Sequence, residues 1–186
     1  MKREYIINKE TISLISEFDN FGKENTRAIE GENMFLVNKS PEKIINDTLN
    51  YLGSSLEGAI IGSKSILGNK YRVPISISAK QGITWFPCNS FRPKESIWLA
   101  HSHIENLEKL NSIETIVHMS HGHSLNISMR KKQIEDRMGR AALLQTKLVE
   151  RSTKKMLFLY EKGSGIKLYK RKGEINFFAK DKEKVD

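Results

Sequence analysis

The sequence predicts a single α+β domain on a mostly antiparallel sheet, with a helix near 40–52 and a basic amphipathic helix near 130–151. Three observations carry this. A segment around Ser40 has helix punctuation at both ends, and the middle of the chain is a series of short β-branched and aromatic runs broken by glycine and proline. After Met129, apolar positions recur at spacings of four and three.

Residues 1–31 are polar, mixed in charge and weakly patterned, and Asn33–Asn38 is a short apolar run with strand character. Ser40 suits an N-cap, Pro41 the first helical position and Glu42 the first turn. Ile44, Ile45, Thr48, Leu49 and Leu52 supply an apolar face, and Gly53 suits a left-handed stop. From Ser55 to Met129 the pattern favours strands, with Gly58, Gly62, Gly68 and Gly82 between short runs such as Tyr71–Ile77 and Ile83–Phe86. Pro74, Pro87 and Pro93 argue against long central strands there. Ile113–Met119 and His123–Met129 read as hairpin arms joined at His121-Gly122.

The second helix runs from after Met129 to about Arg151, with Ile134, Met138, Ala141, Gln145 and Leu148 as its buried stripe. Arg137, Arg140, Lys147 and Arg151 are expected as one basic row on the opposite side, with Lys154 and Lys155 just beyond. Leu143 and Leu144 are expected to point toward that basic side, as part of a partner surface. The domain is expected to span 1–162, followed by a lysine-rich, partly disordered tail over 163–186.

Composition bounds the class. With 38% hydrophobic and 28% charged residues in 186, the chain can build one real core. The single cysteine, Cys88, forms no internal disulfide and fits a reducing compartment. Charges interrupt the N-terminal apolar residues and no run approaches the roughly 18 apolar residues of a membrane span. A cytoplasmic protein is expected.

Lys and Arg number 31 against 22 Asp and Glu, and the surplus is local. Residues 1–60 carry a net −3, residues 61–129 a net +3 and residues 130–186 a net +9. A field this uneven attracts polyanions, nucleic acid first. The basic row therefore reads either as a phosphate-contacting surface or as a solvated helix face.

Other chemistry finds less support. His101 and His103 would share a strand face, and His118, His121 and His123 lie within six residues, so the five resemble metal ligands or are structural and surface histidines. Gly53-Ser54-Ser55 follows a helix and reads as a stop and turn, unlike a nucleophile elbow. Cys88, between Pro87 and Asn89, is expected to be partly exposed; Trp85 and Trp98 are expected in the core. There is no phosphate-binding loop, dinucleotide fingerprint or paired-cysteine zinc spacing. The residues thus point to a non-enzyme with no catalytic residue, cofactor or metal. A histidine-ligated metalloenzyme and an RNA-binding module stand as rivals.

Ordered landmarks over about residues 35–162 resemble the family of the competence transcription factor ComK. They are Phe35-Leu36-Val37-Asn38, Tyr51-Leu52-Gly53-Ser54-Ser55 with Gly58, Phe86-Pro87 with Arg92-Pro93, and Trp98-Leu99-Ala100-His101-Ser102-His103-Ile104. Arg140-Ala141-Ala142-Leu143-Leu144-Gln145-Thr146-Lys147 and Phe158-Leu159-Tyr160-Glu161-Lys162 complete the set. The resemblance implies an activator, working with RNA polymerase, of DNA-uptake genes and of its own promoter. It further implies dimers on paired A/T-rich boxes of double-stranded DNA, read through the minor groove. Arg140 and Lys147 match the family pattern, while Arg92 marks an alternative contact surface in the sheet. Phe158, Leu159 and Tyr160 resemble the tether for the adaptor MecA and its Clp protease, although Glu161 stands where that pattern favours proline.

Overall fold

The computed structural model describes residues 1–88, 96–153, 168–170, 172–173 and 178–179. Two compact units result, Met1–Lys154 and Lys155–Asp186. The domain boundary expected near 162 lies outside the described residues.

The weakly patterned N-terminal segment folds as a hairpin of β1 (Thr11–Phe18) and β2 (Glu24–Glu30). Its strands are hard to read because a register shift between Thr11 and Ser13 breaks the alternation of faces. Polar positions also pair across it, Arg27 Nη2 lying 2.5 Å from Glu17 Oε2. β3 (Asn33–Val37) follows as expected. α1 (Pro41–Tyr51) matches its prediction in extent and caps, with Ser40 Oγ accepting from Lys43 N at 3.3 Å and Gly53 at φ +77°, but Leu52, expected on the apolar face, is half exposed. Ile44, Ile45, Thr48 and Leu49 are its buried face.

The next segment corrects the sequence reading. Leu56–Leu67, expected among the strands, is the helix α2, capped by Ser55 Oγ accepting from Gly58 N at 3.1 Å. Leu56, Ala59 and Ile60 pack on the core while Ile61 is 61% exposed, so apolar residues lie on several sides and leave no helical stripe to read.

β4 (Ile75–Ser78), β5 (Ile83–Pro87) and β6 (Ile97–Ala100) complete a six-stranded antiparallel sheet in the order β3-β2-β1-β6-β5-β4. β7 (Ile104–Lys109), β8 (Thr115–Met119) and β9 (His123–Ile127) form a second, three-stranded antiparallel sheet. The turn expected at His121-Gly122 joins β8 to β9, both residues having positive φ (+61° and +75°). α3 (Lys131–Thr153) ends the unit.

The large sheet is covered on both faces. Leu14, Trp85, Trp98 and Ala100 pack with α1 and α2, whereas Ile12, Phe86, Ile97 and Leu99 pack with the small sheet and α3. This burial on both faces makes β5 and β6 continuous apolar runs. Both tryptophans are core residues, as the sequence suggests. The second unit contains β10 (Leu168–Tyr169) paired antiparallel with β11 (Phe178–Ala179). The α+β class with a mostly antiparallel sheet is therefore as predicted. No helix among the described residues is long and apolar enough to cross a membrane.

Candidate nucleic-acid interface

The basic helix exists, but its charged row lies elsewhere than expected. Ile134, Ala141 and Leu144 are fully buried and Met138 packs beside them. Leu144 thus belongs to the core, contrary to expectation, and only Leu143 is exposed, at 48%. At 100° per residue the centre of the buried arc shifts toward Arg137, and Arg140, Lys147 and Arg151 flank it at roughly a quarter turn. They are not on the opposite side. That side carries Glu135, Gly139, Thr146 and Glu150 as well as Lys132.

Arg137 is partly buried. Its Nη1 donates to the carbonyl oxygen of Pro87, at the end of β5, and its guanidinium lies beside the Cys88 thiol. Cys88 is fully buried, which corrects the expected partial exposure. Burial lowers the Arg137 pKa, with the Cys88 interaction opposing and the neighbouring Arg72 and Arg140 charges adding to the shift.

Arg140 Nε donates to Asp136 O at 3.2 Å, within its own helix, and its Nη1 reaches Tyr71 O at 3.4 Å. Lys147 pairs with Glu150 at 3.1 Å. Arg151 lies farther along, at a groove it shares with Leu144, Leu148 and small residues of α2. Arg92, Lys154, Lys155, Phe158, Leu159 and Tyr160 lie outside the described residues.

The charge that joins Arg137 and Arg140 comes from the loop between α2 and β4. Arg72 sits there at φ +52°, which costs a non-glycine residue roughly 1 kcal/mol or more, with its guanidinium carbon 5.1 Å from the centroid of the exposed Tyr71 ring. Lys64, Lys70, Tyr71 and Arg72 rim a cleft whose wall includes Ile60, Val73, Pro87 and Trp98, and no carboxylate is among these residues. Arg72 and Arg140, from two distant segments, are thereby both brought within electrostatic reach of Arg137.

Sequence reasoning missed Lys64, Lys70 and Arg72 because it treated everything before residue 130 as balanced. A signal was present: between Glu57 and Glu95 there is no acidic residue, while Lys64, Lys70, Arg72, Lys80, Arg92 and Lys94 are basic.

The histidines hold structure together. His103 Nε2 donates to Lys9 O at 2.7 Å and its Nδ1 bonds Ser120 Oγ at 2.6 Å, while His123 Nε2 donates to Gly31 O at 2.8 Å. Both side chains thus tie the turns around the small sheet to backbone carbonyls flanking β1 and β2. His118 pairs with Glu108 at 3.0 Å. Among the described residues no three His, Cys, Asp or Glu side chains are grouped to hold a metal ion.

Comparison with known proteins gives a consistent family. The sequence model of a family described as ComK protein matches residues 2–153. A relative described as a competence transcription factor, from Bacillus subtilis (strain 168), is 26% identical over 147 residues, covering 79% of this chain and 76% of the relative. No solved structure matches.

Proposed function

The chain belongs to the ComK family, and on that premise we propose that it is a DNA-binding transcription activator of competence genes and of its own promoter. The observation that carries this reading is the convergence of Arg72, Arg137 and Arg140 beside a carboxylate-free cleft. Arg137 is committed to Pro87, whereas the Arg140 guanidinium reaches the surface at Tyr71 and Lys64 and Lys70 are exposed at the rim of the cleft that Arg72 also lines. Neutralising phosphates there releases counterions and makes binding salt-sensitive. A/T-rich duplex suits such a surface, because its narrow minor groove concentrates negative potential where arginine side chains enter.

Lys147 and Arg151 extend this surface along α3, and Arg92, Lys154 and Lys155 belong to the same proposal. Dimers on paired boxes, contact with RNA polymerase, a cytoplasmic location and hand-over through Phe158, Leu159 and Tyr160 to a MecA–Clp system complete it. The histidine-ligated metalloenzyme loses its basis, because His103 and His123 spend ring nitrogens on backbone carbonyls.

Competition binding separates the DNA reading from the RNA rival. Labelled A/T-rich duplex held by the full chain is expected to resist structured RNA and G/C-rich duplex at equal nucleotide concentration. Preferential displacement by the RNA would overturn the proposal.

A further inference from the structure

A second cationic surface lies at the other end of α3, where β7 and β8 meet in a turn. Lys109, Asn111 and Ser112 of that hairpin face Arg130, Lys131, Lys132 and Glu135 across a shallow cleft. Lys131 pairs with Glu135 at 3.8 Å. Lys109, Arg130 and Lys132 are exposed and have no carboxylate within ion-pair distance among the described residues. Of the acids on the hairpin, Glu114 accepts from Asn111 Nδ2 at 2.5 Å and Glu108 pairs with His118 at 3.0 Å.

The hairpin tip is built rather than loose. Asn111 Oδ1 accepts from Ile113 N and Glu114 N, both at 2.9 Å, and the Leu110 and Asn111 amides donate to Glu114 O at 3.2 and 3.3 Å. This turn holds two aliphatic side chains out to water, Leu110 at 50% and Ile113 at 54% exposure. A fixed tip with apolar residues between cations loses little conformational entropy on binding. Its chemistry complements a groove of duplex DNA, whose walls are phosphates and whose floor is the edges of stacked bases.

We propose that the β7–β8 hairpin is a second DNA-contacting element, entering a groove with Leu110 and Ile113 while Lys109, Arg130 and Lys132 neutralise the flanking phosphates. This rests on the DNA-binding reading above and adds a contact face separate from the Arg72–Arg140 cluster. The two faces share α3, so one helix links both contacts. Leu110 and Ile113 act as wedges between base steps, a role that unstacks bases at the point of entry.

The test uses the full chain and an A/T-rich duplex carrying 2-aminopurine, with binding followed across a salt series. The triple variant Lys109→Gln, Arg130→Gln, Lys132→Gln should lower the steepness of log K against log salt by about 2 to 3, close to one unit per phosphate contact. The double variant Leu110→Ser, Ile113→Ser should keep the salt slope and lose the rise in 2-aminopurine emission that the unaltered chain gives. All five positions are exposed, and circular dichroism confirms that each variant is folded; Lys109→Gln and Ile113→Ser alone serve if a combined variant is not. Arg72→Gln with Arg140→Gln is measured alongside. If only that pair weakens binding and the hairpin variants match the unaltered chain, the hairpin inference falls and the DNA reading stands. If the unaltered chain shows no salt-sensitive binding to duplex, both fall. Unchanged DNA binding with loss of a protein partner would also overturn the inference.

Discussion

Arg137 of α3 donates a hydrogen bond to the carbonyl oxygen of Pro87, fastening the helix to the end of β5 next to the buried Cys88. Three residues on, Arg140 reaches out to the Tyr71 carbonyl. The two arginines therefore do different work. Arg137→Gln should lower unfolding stability by about 1–3 kcal/mol in urea titrations, the cost of leaving buried partners unpaired. Arg140→Gln should leave stability within about 0.5 kcal/mol and weaken binding to DNA. Equal stability of the two variants would contradict the assignment of Arg137 to the fold.

Cys88 gives a second readout of the same corner. Burial pushes its thiol up to about 12, although the neighbouring Arg137 charge pulls it down. Thiolate is the reactive form. In the native protein at pH 8, Cys88 should react with a disulfide reagent only as fast as the protein opens, and the full equivalent should appear on denaturation. Immediate reaction of the native protein would place Cys88 at the surface.

Adjacent leucines test the face that α3 buries. Leu144→Ala should cost about 2–4 kcal/mol because the side chain is fully enclosed. Leu143→Ala, at a position 48% exposed, should change stability by less than about 1 kcal/mol. A reversed order in thermal or urea unfolding would restore the helix rotation expected from the sequence.

Acid should destabilise the fold in two steps. Burial holds the half-buried His101 below its ordinary value, so the unfolded chain takes up the proton first and stability falls as pH drops below about 6.5. For Asp47, burial acts to raise the pKa, but hydrogen bonds from Lys39 at 2.8 Å and Lys43 at 3.0 Å outweigh it. The Asp47 contribution is thus present above the ordinary carboxylate range near 4 and lost below it. His101→Gln should flatten the melting temperature between pH 7 and 5, and Asp47→Asn should flatten it below about 4. Profiles parallel to the unaltered chain would remove these groups as the cause.

What the sequence disclosed follows from where each signal is encoded. α1 was legible to its ends because Ser40, Pro41 and Gly53 act locally. The β8–β9 hairpin was legible because Thr115, Val117, Met119 and Ile127 alternate into one core. α2 was not, since its isoleucines and glycines carry no one-sided stripe. The candidate site divides in the same way. Arg140 and Lys147 stand on a helix with a readable period, whereas Arg72 comes near Arg137 and Arg140 only through the packing of a loop that lies far away in sequence. The rotation of α3 was misjudged because Leu144, rather than Gln145, is its most enclosed residue at that turn.

The convergence of Arg72 and Arg140 is tested most directly by the salt dependence of duplex binding. For the full chain on A/T-rich DNA, Arg72→Gln with Arg140→Gln is expected to weaken binding and reduce the slope of log K against log salt by about 2, with the fold intact. An affinity and slope equal to those of the unaltered chain would contradict the account and remove this surface from the DNA.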